Sequence, residues 1–155
     1  MRVRVVFLGE DPRDPLQVAA ADYLARAGRR LDAGLVPLKP GKRSKGADDD
    51  KVRLLESETL LAASAGTTRI ALDAGGTLHA SSSELARDLE ALLARGKGLS
   101  FLIGGATGHH PSLLHSVDKL WSLSRLTLAH RLAMLVLAEQ LYRAAEIARG
   151  GPYHK

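Results

Sequence analysis

Three glycines follow a short apolar segment, residues 99–103, in the second half of the chain. The segment comes after a charged stretch and ends at Gly104 and Gly105, a pattern typical of a buried strand in a parallel sheet. Glycine lets the backbone approach a ligand closely, and Gly108 adds a third such position. Because open α/β sheets bind ligands at the carboxyl ends of their strands, this turn is the first candidate for a binding site.

A basic loop at residues 39–50 is the second feature that could do chemistry. It carries Lys39, Lys42, Arg43 and Lys45. One interpretation is an arm that contacts phosphate groups, and the other is a solvated charged loop. Three aspartates follow at residues 48–50, and we expect them at the start of a helix rather than around a metal ion, because consecutive residues do not converge on one helix face.

Three of the six histidines, His109, His110 and His115, lie close together in the sequence. Their spacing makes no convincing zinc site. The absence of cysteine excludes disulfides, thiolate zinc sites and a cysteine nucleophile. We therefore expect these histidines at the surface, and we expect no metal.

Length and composition predict one globular domain, since the chain has 155 residues and 45% of them are apolar. The excess of basic over acidic residues gives a net charge of +5, which mildly favours a polyanionic partner. No apolar run approaches the roughly 20 residues needed to cross a bilayer, and the apolar part of the N-terminus is too short for a signal peptide. We therefore expect a soluble cytoplasmic protein.

Alternating strands and helices must position these residues. Apolar patterns predict strands at residues 2–8, 35–38, 69–73 and 99–103, and helices at residues 15–27, 51–65 and from a capping box of Ser81 and Glu84 to about Arg95. After the glycines we expect a further helix, a loop over residues 121–130 and a last helix. The alternation predicts an α/β fold, a doubly wound domain with a largely parallel sheet.

The last helix is apolar on every face over residues 132–138, which is typical of a buried helix. We expect a dimer interface there. Glu139 and Arg143 lie four residues apart further along it. One interpretation is an intrahelical ion pair that contributes about 0.3–0.5 kcal/mol, and the other is an arginine that approaches a substrate or the tail of a partner chain.

An ordered set of motifs resembles one family. The chain contains LIGG-xx-G at residues 102–108, W-SLS-x-LTL-x-H at residues 121–130, LAEQLYRA at residues 137–144 and PYHK at residues 152–155. GKR at residues 41–43 and RIALD at residues 69–73 extend the resemblance over nearly the whole chain. This set resembles the ribosomal large-subunit RNA methyltransferase H family, the pseudouridine N3-methyltransferases of the SPOUT superfamily.

The resemblance implies a SPOUT-type α/β domain over residues 1–155, with a parallel sheet and a C-terminal deep trefoil knot. The knot would span about residues 99–150, and residues 151–155 would form a tail. The cofactor would be S-adenosyl-L-methionine. Its implied binding residues come from two strand ends and one loop: Leu72, Asp73, Gly104, Gly105, Ser124, Arg125, Leu126, Thr127, Leu128 and Ala129.

The resemblance also implies the catalytic residues. His130 and His154 are candidates to accept a proton from the target base near neutral pH. Tyr153 would stack on that base or hydrogen-bond to it. By resemblance the tail reaches the pocket of the partner subunit in a homodimer, and Arg143 would approach the substrate or that tail.

The implied reaction is methyl transfer to N3 of a pseudouridine in helix 69 of 23S rRNA, on the assembled ribosome. Three departures from the family pattern keep a second interpretation open: Thr107 stands where an acidic residue is frequent, Ala129 where proline is usual, and Met134 where arginine is usual. That interpretation is a catalytically weak ribosome- or RNA-binding module on the same fold. A third, a nucleotide-binding protein with a small substrate, lacks the lysine of a phosphate loop.

Overall fold

The computed structural model describes residues 1–41, 46 and 48–155. Lys42, Arg43 and Lys45 of the basic loop, and with them most of the GKR motif, lie outside the described residues. Strands and helices alternate in the described part of the chain: β1 Val3–Leu8, α1 Pro15–Arg26, α2 Gly28–Leu31, β2 Ala33–Leu38, α3 Asp49–Ala63, β3 Thr68–Leu78, α4 Ser82–Leu93, β4 Leu99–Leu102, α5 Pro111–Leu114, β5 Lys119–Ser122 and α6 His130–Arg149.

The five strands form one parallel sheet in the order β2-β1-β4-β3-β5. This arrangement confirms the predicted α/β fold with a parallel sheet. β4 is the central strand, and Leu102 near its end pairs with Val6 of β1 on one side and with Ala71 of β3 on the other. The glycine turn that follows β4 therefore leaves the middle of the sheet.

Both faces of the sheet are covered by helices. On one face, Val3, Val5 and Phe7 of β1 are fully buried in a cluster with residues of α1, α4 and α6. On the other face, Val6 and Leu8 pack in a second cluster with residues of α3 and α5. Because neither face meets water, the strands read as apolar runs rather than as alternating patterns.

Side-chain caps set the starts of α3 and α4. The Ser81 hydroxyl accepts from the Glu84 amide at 3.1 Å, and the Glu84 carboxylate accepts from the Ala80 amide at 2.9 Å. Asp48 caps α3 through the amide of Asp50 at 3.0 Å, so the acidic triplet does begin a helix. A negative charge there also suits the positive end of the helix dipole.

The region between the glycine turn and α6 differs from the prediction. The helix expected there is a single turn, Pro111–Leu114, and the loop expected at residues 121–130 begins inside a fifth strand, β5. β3 is also longer than predicted, and its pairing with β5 shifts register between Leu72 and Thr77. A side chain on Gly76 in that bulge would lie 2.7 Å from the Leu120 backbone, so the close approach needs glycine.

In the described part of the chain, no helix combines the length and hydropathy needed to span a membrane.

Candidate functional site

A cavity of about 510 Å³ opens at the carboxyl end of β4, beside the middle of β3, just after the last β3–β4 pair, Ala71 with Leu102. Three pieces of chain form it: the middle of β3, the turn after β4 and the segment that leads into α6. Its lining residues are Leu72, Asp73, Ile103, Gly104, Gly105, Ala106, Thr107, Gly108, His109, Thr127, Leu128, Ala129, His130 and Ala133.

The glycine turn after β4 shapes one wall of the cavity. The Gly108 amide donates to the Gly105 carbonyl at 3.0 Å, and Gly108 has a φ of +79°, which favours glycine. A side chain on Gly104 would lie 2.9 Å from the carbonyl carbon of Gly108. The tight turn therefore depends on glycine at these positions.

Most of the implied cofactor residues lie at this cavity. Leu72 and Asp73 come from β3, Gly104 and Gly105 from the turn, and residues 127–129 from the segment before α6. His130, the first residue of α6, also lines it. The structure thus brings together three segments that are far apart in the sequence.

Ser124, Arg125 and Leu126 do not line the cavity in this chain. The Arg125 guanidinium donates to the carbonyl of Gly76 at 3.0 Å and also to that of Ala74. The Ser124 hydroxyl accepts from the Leu126 amide at 3.0 Å, and Leu126 is 75% exposed. Arg125 therefore fastens the loop to the bulge of β3.

His130 lies where α6 begins and is partly buried. Burial lowers the pKa of its imidazole, and the neighbouring Arg131 lowers this pKa further, while Asp14 acts to raise it. The Arg131 guanidinium donates to Gln17 at 2.6 Å and to the Gly9 carbonyl at 3.0 Å, which ties the start of α6 to the loop after β1. A neutral imidazole at the cavity can accept a proton.

His109 is buried, so the expectation of three surface histidines is wrong at this position. Its Nε2 lies 3.1 Å from the Leu102 carbonyl oxygen, to which it donates, and burial lowers its pKa. The expectation holds for His115, which is exposed, while His110 is partly buried and caps α5 through the Ser112 amide. Sequence reasoning missed His109 because its partner is a backbone carbonyl, which has no sequence signature.

A second polar cluster surrounds the C-terminal half of α6. The Arg143 guanidinium lies 2.6 Å from the Glu139 carboxylate, which also accepts from the Tyr153 hydroxyl at 3.0 Å. The Tyr153 ring packs against Tyr142 with its centroid 4.7 Å away. Burial, with the nearby Tyr23 and Glu139, raises the pKa of Tyr153 to about 12. The tail therefore folds back onto its own helix.

The implied catalytic residues fall into two groups within one chain. His130 lies at the cavity, whereas Arg143 contacts Tyr153 and His154 further along the same helix. Thirteen residues at 1.5 Å each place Arg143 roughly 20 Å along α6 from His130. One chain alone does not bring the tail to the cavity.

Within one chain, only one side of α6 is buried. Met134, Leu137 and Ala138 are fully buried in the core, while Leu132 is 38% exposed and Leu135 and Val136 are partly exposed. The Met134 position therefore faces the interior of this chain rather than a partner or RNA.

The cavity suits a ligand with both apolar and polar parts. Leu72, Ile103 and Leu128 give it apolar walls, and its volume lies in the usual range for small-ligand sites. Two buried polar atoms at its wall, the Thr107 hydroxyl and His109 Nδ1, have no hydrogen-bond partner among the described residues. S-adenosylmethionine, with its purine, hydroxyls and ammonium, fits this mixture.

Comparison with known proteins identifies relatives over the whole chain. The model of a predicted SPOUT methyltransferase family matches residues 1–154. The chain is 43% identical to the ribosomal RNA large subunit methyltransferase H of Thiobacillus denitrificans and 40% identical to that of Stenotrophomonas maltophilia, and each match covers 100% of this chain and 99% of the relative.

Solved structures share the fold at low sequence identity. A probable methylase family protein from Haemophilus influenzae matches with a TM-score of 0.57 and 14% identity, over 99% of this chain and 70% of that one. A probable methyltransferase from Bordetella pertussis matches with a TM-score of 0.56 and 19% identity, over 93% and 96%. By its full-length sequence similarity, the chain belongs to the ribosomal RNA large subunit methyltransferase H family of SPOUT methyltransferases, enzymes that use S-adenosylmethionine.

Proposed function

We propose that this chain transfers a methyl group from S-adenosylmethionine to N3 of a pseudouridine in helix 69 of 23S rRNA. Its substrate would be the assembled ribosome in the cytoplasm. The observation that carries this proposal is the cavity at the carboxyl end of β4 and the middle of β3, in a chain that matches the family from end to end. When bound, the cofactor supplies an electrophilic methyl group on its sulfonium.

The cofactor would be held by Leu72, Asp73, Gly104, Gly105 and residues 127–129. The apolar side chains of Leu72 and Leu128 suit the adenine ring, and the glycines allow close backbone approach. Ser124, Arg125 and Leu126 would contribute by completing the loop, which the hydrogen bonds of Arg125 to β3 hold in place. A fixed cavity aligns the reacting groups, and alignment can supply much of the rate enhancement.

His130 is the candidate at the cavity to accept the N3 proton. Its lowered pKa keeps the imidazole neutral at physiological pH, which a proton acceptor requires. Arg131 next to it donates to the Gln17 side chain and to the Gly9 carbonyl, which holds its guanidinium between α1 and the loop after β1.

Arg143, Tyr153 and His154 would act at the cavity of the partner subunit in a homodimer. The separation of roughly 20 Å along α6 supports this division, because these residues cannot serve the cavity of their own chain without a large movement. The partly exposed apolar side of α6, with Leu132, Leu135 and Val136, is the candidate contact surface. Tyr153 would stack on the target base or hydrogen-bond to it.

The chain would form a single SPOUT domain over residues 1–155. We place a deep trefoil knot at about residues 99–150 and the tail at residues 151–155. The knot is proposed from membership of the family, whose model matches residues 1–154.

A catalytically weak ribosome-binding module is the alternative, suggested by Thr107, Ala129 and Met134. Two of these departures have mild structural consequences. Ala129 has a φ of −56°, which is the value that proline would fix, so the loop keeps a path that proline also allows. Met134 is fully buried, where an apolar side chain is well suited.

Ribosomes from cells that lack the modification provide the test. Purified protein and radiolabelled S-adenosylmethionine are added, and the label is located in the RNA. Label at N3 of one pseudouridine in 23S rRNA is the expected result. Ribosome binding without any label would refute the enzyme and support the binding module.

A further inference from the structure

Two residues of α1 contact the aromatic ring against which the C-terminal tail packs. The Tyr153 ring of the tail meets Tyr142 of α6 edge to face, with 4.7 Å between the two ring centroids. On the α1 side, the guanidinium carbon of Arg26 lies 4.6 Å from the centroid of the Tyr142 ring, and the Tyr23 centroid lies 5.7 Å from it. The Tyr142 ring therefore lies between α1 and the tail.

Arg26 holds the Tyr142 ring by two kinds of contact. Its guanidinium lies over the ring, where the negative face of an aromatic system attracts a cation, and its Nη2 donates to the Tyr142 hydroxyl at 3.4 Å. Asp22, one turn earlier on α1, lies 3.5 Å from Nη1 of the same guanidinium. The Arg26 side chain is 47% exposed, whereas Tyr142 is buried. Loss of the arginine should therefore free the ring without opening the core.

The tail tyrosine is held from three directions. Its hydroxyl donates to Glu139 at 3.0 Å, and the guanidinium carbon of Arg143 lies 4.8 Å from its ring centroid. The third support is the Tyr142 ring. Because Arg26 contacts that ring, α1 affects the position of the tail through a single intermediate side chain.

A purely structural role for Arg26, as a contact that joins α1 to α6, is the alternative. Apolar packing already joins these helices, since Ala20 and Leu24 of α1 are buried in the same cluster as Leu141 of α6. A half-exposed arginine at the last residue of α1 adds little to that packing. Its contacts are instead concentrated on the rings that adjoin the tail.

We propose that Arg26 is a positioning residue for methyl transfer: it orients the Tyr142 ring, which holds Tyr153 and the tail where they act on the cavity of the partner subunit. Arg26 itself touches neither substrate nor cofactor. The inference rests on the proposed function, since it takes the tail of one chain to act at the cavity of the other.

Mixed dimers can assign the effect of Arg26 to one of the two chains. When His130→Ala and His154→Ala are coexpressed, the one complete site combines the tail of the His130→Ala chain with the cavity of the His154→Ala chain. Homodimers of either kind contribute no activity. Arg26→Gln is then added to one chain at a time, and methyl incorporation at several concentrations of ribosomes that lack the modification gives kcat and KM.

We expect the same substitution to act in one chain and not in the other. In the His130→Ala chain, which supplies the working tail, Arg26→Gln should lower kcat by about 10-fold, because small displacements of a reacting group are costly. In the His154→Ala chain, which supplies the cavity, it should leave kcat unchanged. Arg26→Lys in the tail-supplying chain keeps a cation near the ring and should recover most of the activity.

Arg29→Gln is the matched control for the lost charge. Arg29 is exposed on α2, three residues beyond Arg26, and makes no ion pair with the described residues. Its substitution should change kcat in neither chain. Calorimetric titration should also give the original dissociation constant for S-adenosylmethionine in Arg26→Gln, because Arg26 is not among the residues that line the cavity.

Several results would overturn the inference. An equal loss of kcat from Arg26→Gln in both chains, with a lowered melting temperature, would mean that the arginine merely stabilises the fold. An unchanged kcat in both would mean that the tail needs no support from α1, and a loss confined to the cavity-supplying chain would assign Arg26 to the cavity.

Failure of the proposed function gives a different pattern. If the original protein methylates ribosomes but the coexpressed pair of His130→Ala and His154→Ala is inactive, the two-chain site is wrong and the role of Arg26 is wrong with it. If the original protein itself does not methylate ribosomes, the proposed function fails.

Discussion

His154 lies against Arg143 in the same chain, with 3.3 Å between the imidazole Nδ1 and a guanidinium nitrogen. Nε2 of the same ring lies 3.5 Å from the Ser83 hydroxyl on α4. The tail is therefore ordered against its own helices and held away from its own cavity. A tail held in this way at a fixed position can be presented to a second subunit at little further entropic cost.

Mixed dimers test whether the active site combines two chains. His130→Ala and His154→Ala should each be inactive alone. In dimers that contain one chain of each kind, one site carries both defects and the other carries none. Coexpression at equal amounts should therefore restore about one quarter of the original activity.

The measurement is methyl incorporation into ribosomes by the coexpressed pair, with two differently tagged copies of His154→Ala as the control. Each variant must retain its melting temperature. If the mixed dimers remain as inactive as either parent, each site draws all its residues from one chain.

Gly104→Ala tests the tight turn after β4. The new methyl group would lie 2.9 Å from the Gly108 carbonyl carbon, so the wall of the cavity must shift. We expect the free energy of unfolding to fall by about 1–3 kcal/mol, as in other overpacked sites, and S-adenosylmethionine to bind more weakly. Denaturant titration and calorimetry measure the two effects.

Gly98→Ala is the matched control, because its methyl group would meet its nearest atom at 3.4 Å. Its binding constant should remain that of the original protein. Equal binding by Gly104→Ala would show that the turn tolerates a side chain.

The two cavity histidines predict how stability depends on pH. Burial lowers the pKa of His109 and His130 from the ordinary value of 6.5 in the folded chain. Below that pH the unfolded chain binds more protons than the folded one, so the free energy of unfolding should decrease as the pH falls below about 6.5. Above about pH 6.5 the contribution of the two histidines to the free energy of unfolding is constant.

Denaturant titrations at pH 7.5 and pH 5.5 measure this change. In His109→Gln the loss of stability between the two pH values should be smaller than in the original protein, while the exposed His115→Gln serves as control. An unchanged pH dependence in His109→Gln would mean that the histidine is not buried as described.

Leu132→Asp tests the contact surface on α6. Leu132 is 38% exposed on the apolar side of the helix, so a charge there should not disturb the core but should prevent two such surfaces from meeting. We expect light scattering to show that Leu132→Asp is a monomer. At low concentration its melting temperature should be close to that of the original chain.

Leu55→Asp is the control, since Leu55 is 57% exposed on α3, which covers the opposite face of the sheet. Leu55→Asp should not change the molar mass measured by light scattering. A dimer that persists in Leu132→Asp would place the interface elsewhere.

Local patterns predicted much of this fold. The apolar run before Gly104 predicted β4, and Ser81 with Glu84 predicted the start of α4, because strand burial and helix capping depend on neighbouring residues. β5 was missed since its four residues, KLWS, form a strand only by pairing with β3. The residues that make this segment a strand therefore lie far from it in the sequence.

The functional site could also be predicted only where it depends on neighbouring residues. Glycines after a strand predicted the turn at the cavity, but the burial of His109 depends on the Leu102 carbonyl, and the position of Arg125 depends on carbonyls freed by the bulge in β3. A backbone carbonyl has the same chemistry at every residue, so sequence alone could not choose these partners. The distance between His130 and Arg143 could likewise be predicted only once the length of α6 was known.

The central place of β4 has a consequence for the order of folding. Residues 1–98 contain β1 paired with β2, and β3, whose neighbours β4 and β5 both come later in the chain. Until β4 is synthesised these pieces have open edges and no shared hydrogen bonds, and such edges invite pairing with other chains. The sheet is therefore completed late, by pairing between distant parts of the sequence, and we expect the chain to fold slowly. Until its second half has emerged from the ribosome, the nascent chain should depend on protection from aggregation.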